Sequence, residues 1–367
     1  MSDAPILIMA GGTGGHVYPA LAIANALRER AQPVIWLGTR RGLEAQVVPA
    51  AGYPIEWLSI SGLRGQGAAG WLMAPFRLLH AVYQAFRVIR KTRPQLVIGM
   101  GGFASGPGGI AAWLARVPVV IHEQNAVAGM TNRWLARIAA RVLQGFPGAF
   151  HERVAATTVG NPVRADIRAV PAPNERFAGR EGAQRLLIIG GSLGAQALNE
   201  MVADAIALLP LEQRPQIRHQ AGSRTLEIAQ DAYARRQVLA EVTPFIDDMA
   251  AAFAWADTVI CRAGALTVAE LSCVGVGAVF VPFPHAVDDH QTANAAQMVA
   301  HGAAVLLPQS ELTPQSLQAA LRSLGVDRSA WLARATKARE LRAGDAVTRV
   351  LQACADVLQQ QTPAGAV

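Results

Sequence analysis

The sequence predicts an α/β protein built from two Rossmann-like, doubly wound parallel-sheet domains. Three observations predict it. At 367 residues the chain is long for one domain and comfortable for two, and 51% of it is apolar, enough for a core in each. Short apolar runs alternate with helix-length segments, the pattern of parallel sheets covered on both faces. The pattern also restarts. Ile6-Leu7-Ile8-Met9-Ala10-Gly11-Gly12-Thr13-Gly14-Gly15 resembles Leu186-Leu187-Ile188-Ile189-Gly190-Gly191-Ser192-Leu193-Gly194-Ala195. Each reads as strand, glycine turn and helix start.

The strands expected in the first half are Ile6–Met9, Val34–Leu37, Leu96–Ile98, Val119–His122 and Arg141–Leu143. In the second half they are Arg185–Ile189, Ile217–Gln220, Thr258–Cys261 and Ala278–Val281. Helical segments such as Pro19–Arg30, Gly129–Ala140 and Ala195–Leu209 lie between them. Gly160-Asn161-Pro162 and the Pro-rich stretch Val170–Asn174 mark the boundary. The expected division is 1–163, 164–340, and 341–367, the last a helix packing back on the N-terminal domain and a frayed tail.

Cys261, Cys273 and Cys354 form no CxxC pair and no metal-ligand spacing, so they read as reduced, buried thiols. Met1–Pro5 lacks the basic and apolar regions of a signal peptide. The uncharged run Leu271–Val287 is broken by Gly275, Gly277, Pro282 and Pro284, so no transmembrane helix is expected. The net charge of +7 is uneven. Residues 1–160 hold 15 Lys/Arg and 6 Asp/Glu, a balance of +9; the remainder holds 18 and 20, a balance of −2. A basic half suits an anionic partner: nucleic acid, an acidic membrane surface or a phosphorylated substrate.

A glycine turn feeding a helix presents backbone N–H groups and the positive end of the helix dipole to an anion. Neither turn has the Lys of a nucleotide P-loop. The second strand ends in Thr39-Arg40-Arg41, without the acidic residue that holds an NAD ribose; only a weak NADP reading survives. Further polar loops follow predicted strands at Gly99–Pro107 and at His122-Glu123-Gln124-Asn125, where open α/β sheets place ligands. In Cys261–Glu270 a strand passes through a small-residue turn into a helix. The amides of Ala265 and Leu266 suit a phosphate there, and Glu270 suits two ribose hydroxyls.

Taken in order, these stretches resemble glycosyltransferase family 28, the bacterial N-acetylglucosaminyltransferases that make lipid II of peptidoglycan. The motifs are Gly11–His16, Ser61-Gly62-Leu63-Arg64-Gly65, Gly101–Pro107, His122–Asn125, Gly160–Arg164, Gly190–Ala195, Phe245-Ile246-Asp247-Asp248-Met249, Arg262–Glu270 and Gln291–Asn294. They span residues 11 to 294, and it is the ordered set that is specific.

The resemblance implies a GT-B fold, two Rossmann-like domains facing a cleft. It implies transfer of GlcNAc from UDP-GlcNAc to the 4-hydroxyl of MurNAc in undecaprenyl-diphospho-MurNAc-pentapeptide, with inversion and release of UDP. Carried over by position, the backbone of Ile246 would meet the uracil and Glu270 the ribose. Ser192, Ala265 and Leu266, with Thr267, Val268 and Ala269 behind them, would line the diphosphate site. Gln291 and Asn294 would meet the sugar. Thr13, Gly14, Gly15, Asn125 and Arg164 would complete the donor contacts. Where the family shows a glutamine pair, this sequence has His290-Gln291, and Gln291 is the better match.

Such a reaction needs a base for the acceptor hydroxyl. His16, ending the first glycine turn, is the first candidate, and Glu123 is the second. No cofactor and no metal are expected. There is no Asp-x-Asp motif, and Asp247-Asp248 and Asp288-Asp289 read as a helix cap and a loop.

Residues 70–93 begin with Trp71, Leu72, Phe76 and Leu79 and end with Arg87, Arg90, Lys91 and Arg93. Part of this segment must pack on the sheet. Its Trp71–Phe76 end is expected to touch lipid while nearby cations meet anionic headgroups. With the lipid-linked acceptor that the resemblance implies, the protein is expected to be peripheral on the cytoplasmic face of the bacterial inner membrane. No nucleic-acid recognition motif is present. Two readings compete: a UDP-GlcNAc 2-epimerase of the same fold, and a non-catalytic nucleotide-sugar-binding module. The acceptor-side loops argue against the first and the His16 and Glu123 pair against the second.

Overall fold

The computed structural model describes residues 4–60, 73–191, 194–284, 286 and 289–361. The chain forms two compact units. One runs to Arg164 and takes up the chain again from Gly344; the other is Ala165–Ala343.

The first unit holds a seven-stranded parallel sheet of β1 (Ile6–Met9), β2 (Val34–Thr39), β3 (Ile55–Leu58), β4 (Leu96–Gly99), β5 (Val119–Glu123), β6 (Arg141–Gln144) and β7 (Ala156–Thr158). Its order is β3-β2-β1-β4-β5-β6-β7. Every residue of β1, β4 and β5 is buried, because helices cover both faces. One face packs on the Gly14–Glu29 helix through Val17, Ala20, Ile23 and Leu27. The other packs on the Ala74–Thr92 and Ser105–Leu114 helices through Ala85, Val88, Ile89 and Ala111.

The second unit holds a six-stranded parallel sheet of β8 (Arg185–Ile189), β9 (Gln216–Gln220), β10 (Glu241–Thr243), β11 (Thr258–Cys261), β12 (Gly277–Phe280) and β13 (Ala304–Leu306). Its order is β10-β9-β8-β11-β12-β13. Strand order therefore reverses beside β1 in one sheet and beside β8 in the other. Open α/β sheets place ligands beside such switch points, at the carboxyl ends of the strands.

Four strands lie beyond the sequence-based expectation: β3, β7, β10 and β13. All are short and sit at or next to sheet edges, and their residues are mostly half-buried or exposed. β3, β7 and β10 lack the continuous apolar run that marks the central strands, and the apolar run of β13 is only three residues long. Arg176, also unanticipated, is buried and donates to the carbonyls of Pro171, Val274 and Gly275, tying the segment after Ala165 to the second sheet's helical layer. Burial beside Arg180 and Arg339 pushes its guanidinium down to about 10. The three cysteines are free and buried.

The Ala346–Gln361 helix belongs to the first unit. Val347, Val350, Leu351, Cys354 and Val357 enter the same core as the Gly14–Glu29 helix. Their spacing of three and four residues makes one apolar stripe. We predict that Leu351→Ala destabilises this unit by about 2–5 kcal/mol, measured by urea unfolding; an unchanged midpoint would show that the helix does not hold the unit together.

Candidate functional site

In the first unit a candidate site forms where the loops after β1, β4 and β5 meet. Thr13 has extended backbone angles and begins the Gly14–Glu29 helix, and its carbonyl accepts from the N–H groups of His16 and Val17. The N–H groups of Gly14 and Gly15 lie in the first turn, without a helical carbonyl to receive them. No acidic residue stands in that turn. An anion is therefore favoured there.

The loop after β4 lies directly against this turn. A Cβ on Gly102 would stand 2.3 Å from the carbonyl oxygen of Gly11, and the residue has φ of 87°. Only glycine meets both conditions. Ser105 fastens the loop by donating to the carbonyls of Gly101 (2.7 Å) and Met9 (3.1 Å). The His16 ring rests over Gly101.

Glu44 was missed at the sequence level. Its buried carboxylate accepts from Gly12 N (2.8 Å), Thr39 N (3.0 Å) and the Thr39 hydroxyl (2.7 Å). It thereby ties the glycine turn to the end of β2. The available signal was an acid a few residues after the second strand, in Arg41-Gly42-Leu43-Glu44.

His16 is half-buried, and its Nδ1 lies 2.9 Å from Gln124 Oε1. Glu123 is a correction. Its carboxylate is buried and accepts four hydrogen bonds: Asn125 N and Nδ2 on Oε1, Gly129 N and Asn132 Nδ2 on Oε2. A carboxylate so filled and buried clamps the 125–129 loop and is not positioned to receive a substrate proton. Asn125 is held in place by that clamp. The Arg164 guanidinium lies 5.2 Å from the Tyr18 ring centroid, next to the helix turn that carries His16.

In the C-terminal unit, Gly264 has extended angles and starts the Ala265–Val274 helix. No side chain caps that helix, and its first turn has no acid. The N–H groups of Ala265, Leu266 and Thr267 precede the first helical bond, from Val268 N to Gly264 O at 2.9 Å. These are the features of an anion site. Val268 does not contribute as expected: its side chain is in the core and its N–H is used. Ala269 is half-buried, and Glu270 is almost fully buried on the same helix.

Asn294 is a second correction. It is fully buried and donates to the Ala263 carbonyl at 3.1 Å, so it fastens the turn before the helix and does not face an open site. Gln291 is half-buried and accepts from Phe283 N at 2.9 Å. Ile246 donates its N–H to Gln220 Oε1 at 3.2 Å, which leaves its carbonyl as the candidate contact for a base edge. Asp248 caps the Met249–Trp255 helix by accepting from Ala251 N. Ser192 and the Ser61–Gly65 motif lie outside the described residues, as do Trp71 and Leu72. Among the described residues no group of three or more His, Cys, Asp or Glu is arranged to hold a metal ion.

A buried histidine network braces the loop after β9. Asn199 Nδ2 donates to the carbonyls of Ala221 and Thr225, so its Oδ1 accepts from His219 Nε2–H at 3.0 Å. His219 Nδ1 then accepts from the Tyr233 hydroxyl at 3.0 Å. The same loop approaches Gly194, where a Cβ would stand 2.5 Å from the Ala221 carbonyl.

Comparison with known proteins settles the family. The glycosyltransferase family 28 N-terminal domain matches residues 6–144, and the C-terminal domain of that family matches 185–350. The chain belongs to glycosyltransferase family 28. It is a glycosyltransferase of the GT-B fold. It is 59% identical over 350 residues to a protein of Alkalilimnicola ehrlichii, covering 95% of this chain and 98% of that one. It is 54% identical over 352 residues to one of Nitrosococcus oceani, covering 96% and 98%. Both bear the name UDP-N-acetylglucosamine–N-acetylmuramyl-(pentapeptide) pyrophosphoryl-undecaprenol N-acetylglucosamine transferase. MurG of Acinetobacter baumannii superposes with a TM-score of 0.82 at 40% identity, covering 98% of this chain and 100% of that one. A putative UDP-N-acetylglucosamine 2-epimerase of Listeria monocytogenes shares the fold alone, at 14% identity and a TM-score of 0.69 over the full length of both.

Two histidines at this site and its support are uncharged by burial. Desolvation lowers His122 to about 4 and His219 to about 3. Both lie below the ordinary value of about 6.5, so from pH 6.5 down to those values the unfolded chain binds more protons. Stability is therefore full above about pH 6.5 and falls on acidification by about 1.4 kcal/mol per pH unit for each. We predict that two of the eight histidines show no NMR titration between pH 8 and 5 while the urea midpoint drops. Eight ordinary titrations would contradict the burial.

Proposed function

We propose that this enzyme transfers GlcNAc from UDP-GlcNAc to the 4-hydroxyl of the MurNAc of undecaprenyl-diphospho-MurNAc-pentapeptide, converting lipid I to lipid II. The names borne by relatives of more than half identity support the substrates. The observation that carries the chemistry is His16: it stands at an anion-binding helix start with Nδ1 engaged by Gln124.

In the proposed step the MurNAc O4 proton passes to His16 Nε2. O4 forms a bond to GlcNAc C1 on one face as the bond from C1 to the diphosphate oxygen breaks on the other. The configuration at C1 inverts, and the electron pair leaves with UDP. The N–H groups at Ala265 and Leu266 meet the diphosphate, with Thr267 beside them and Ser192 and Arg164 adding donors. Glu270 holds the ribose, Ile246 the uracil, and Gln291 the sugar. Thr13, Gly14, Gly15 and Asn125 serve the acceptor side and share in donor binding. The C-terminal unit is thus the donor domain, and no metal takes part.

The N-terminal unit is also the membrane-facing one in this reading. Phe76, Leu79 and Tyr83 are exposed along one face of the Ala74–Thr92 helix, and Arg87 and Arg90 continue that face. The adjoining Ser105–Leu114 helix exposes Trp113 and Leu114, and the Met130–Leu135 helix exposes Met130 and Trp134. The Arg137 guanidinium lies 4.0 Å from the Trp134 ring centroid. Exposed aromatics with neighbouring cations suit the headgroup boundary of an anionic membrane. No described helix is long and apolar enough to cross a membrane. The exposed aromatics and their cations support peripheral attachment, which in this reading is to the cytoplasmic face of the inner membrane, in cell-wall synthesis.

Incubation with UDP-GlcNAc and a MurNAc-diphospho-lipid should release UDP only when the acceptor is present, with EDTA without effect. Acceptor-independent release of free sugar would favour the epimerase-like reading. His16→Ala should lower turnover by about 10²–10⁴-fold with little change in donor affinity; near-normal turnover would exclude His16 as the base. Vesicle co-sedimentation should rise with anionic lipid and weaken in Phe76→Ser/Leu79→Ser; binding indifferent to both would remove the membrane reading.

A further inference from the structure

A chain of buried polar groups runs inward from His16. Gln124 Oε1 is 2.9 Å from His16 Nδ1. Gln124 Nε2 is 3.2 Å from His122 Nδ1, and His122 Nε2 is 2.9 Å from the carbonyl oxygen of Gly160. His122 and Gln124 are both essentially inaccessible to solvent. Asn161 Nδ2 donates to the Gln124 carbonyl at 3.0 Å and holds the Gly160 end of the chain in place.

The proton positions in this chain follow from its inner end. A carbonyl oxygen only accepts, so His122 Nε2 carries a hydrogen. Burial keeps the His122 ring neutral, with one N–H, so its Nδ1 can only accept. The Gln124 group facing it must then be the amide NH2, which also points at the His122 carbonyl at 3.3 Å. That leaves Oε1 toward His16, and an amide oxygen only accepts. His16 Nδ1 must therefore donate. In a neutral imidazole this leaves the lone pair on Nε2.

We propose that Gln124 and His122 are positioning residues that lock His16 in the Nδ1–H tautomer, holding Nε2 as the proton acceptor in the transfer. This rests on the reading of His16 as the base. The device differs from a carboxylate–histidine pair. The amide sets the tautomer and ring orientation and adds no charge beside the developing imidazolium. The proton taken from the sugar hydroxyl stays on His16 Nε2, because an amide cannot pass it on. Glu123, next in sequence, is turned away into its own clamp. The neutral Gln124 therefore occupies the place at His16 Nδ1 where a carboxylate would raise the ring's proton affinity.

The test reads the tautomer directly. In the full-length protein labelled with 15N-histidine, the His16 signals are assigned by their loss in His16→Gln. Above the titration of the ring, Nδ1 should show the shift of a protonated nitrogen and Nε2 that of an unprotonated one. The reverse pattern in the wild type would overturn the proposal. Gln124→Leu should release the lock, move population to the Nε2–H form, and lower kcat about 10–100-fold while KM for UDP-GlcNAc stays within about twofold. Gln124→Glu keeps an acceptor oxygen for His16 Nδ1 while giving up the donor to His122 Nδ1, and should hold His16 in the Nδ1–H form that Gln124→Leu loses. Equal loss in both variants with an unchanged tautomer would reduce Gln124 to a packing role. The outcomes remain separable from the base reading: if His16→Gln turns over normally, His16 is not the base, whatever its tautomer.

Discussion

The contact on which the candidate site depends is one backbone lying on another. Gly102 approaches the Gly11 carbonyl so closely that no side chain fits between them. That approach brings the loop after β4 onto the turn after β1 and sets Gly101 beneath the His16 ring. β1 and β4 are hydrogen-bonded parallel neighbours, so the two loops start side by side at the carboxyl edge of the sheet. Without the glycines, the two loops would have to part, and the histidine would lose the surface it rests on.

Around that contact, buried carboxylates and amides hold loops in place. Glu44 takes the Gly12 N–H, Glu123 gathers four donors from the loop that follows it, and Asn161 reaches the Gln124 carbonyl. Buried polar groups are costly unless satisfied, and satisfied ones fix a single arrangement. The second unit uses the same device through His219, Asn199 and Tyr233. In both units the open N–H groups at the helix starts are positioned by side chains that themselves face inward. The sparse charge of the chain fits this division, since the first 160 residues hold only 6 of the acids, and Glu44 and Glu123 among them are buried as clamps.

Much of the fold was legible because parallel sheets write themselves into sequence. Ile6–Met9, Leu96–Ile98 and Thr258–Cys261 are buried on both faces and appear as unbroken apolar runs. The strand, turn and helix order around Gly11–His16 and Gly190–Ala195 marked two domain starts. The edge strands β3, β7, β10 and β13 were illegible, since half-exposed strands of three or four residues resemble loops. The family resemblance added candidate residues by position, yet position does not report burial. Asn294 and Val268 fall inside matching motifs and are packed away from solvent.

By itself, then, the sequence determined the two-domain α/β class, the glycine turns with their helix starts and the basic first half. These are local features: periodicity, turn chemistry and charge count are all written within a few residues. Tertiary structure alone decided the rest. Whether Glu123 is a base or a clamp depends on Asn125, Gly129 and Asn132 folding back upon it. Which nitrogen of His16 carries the proton depends on Gln124, 108 residues away, and through it on a carbonyl at Gly160. Hydrogen-bond partners brought together from distant strands leave no local pattern, so the polar centre becomes readable only when the chain has closed around it.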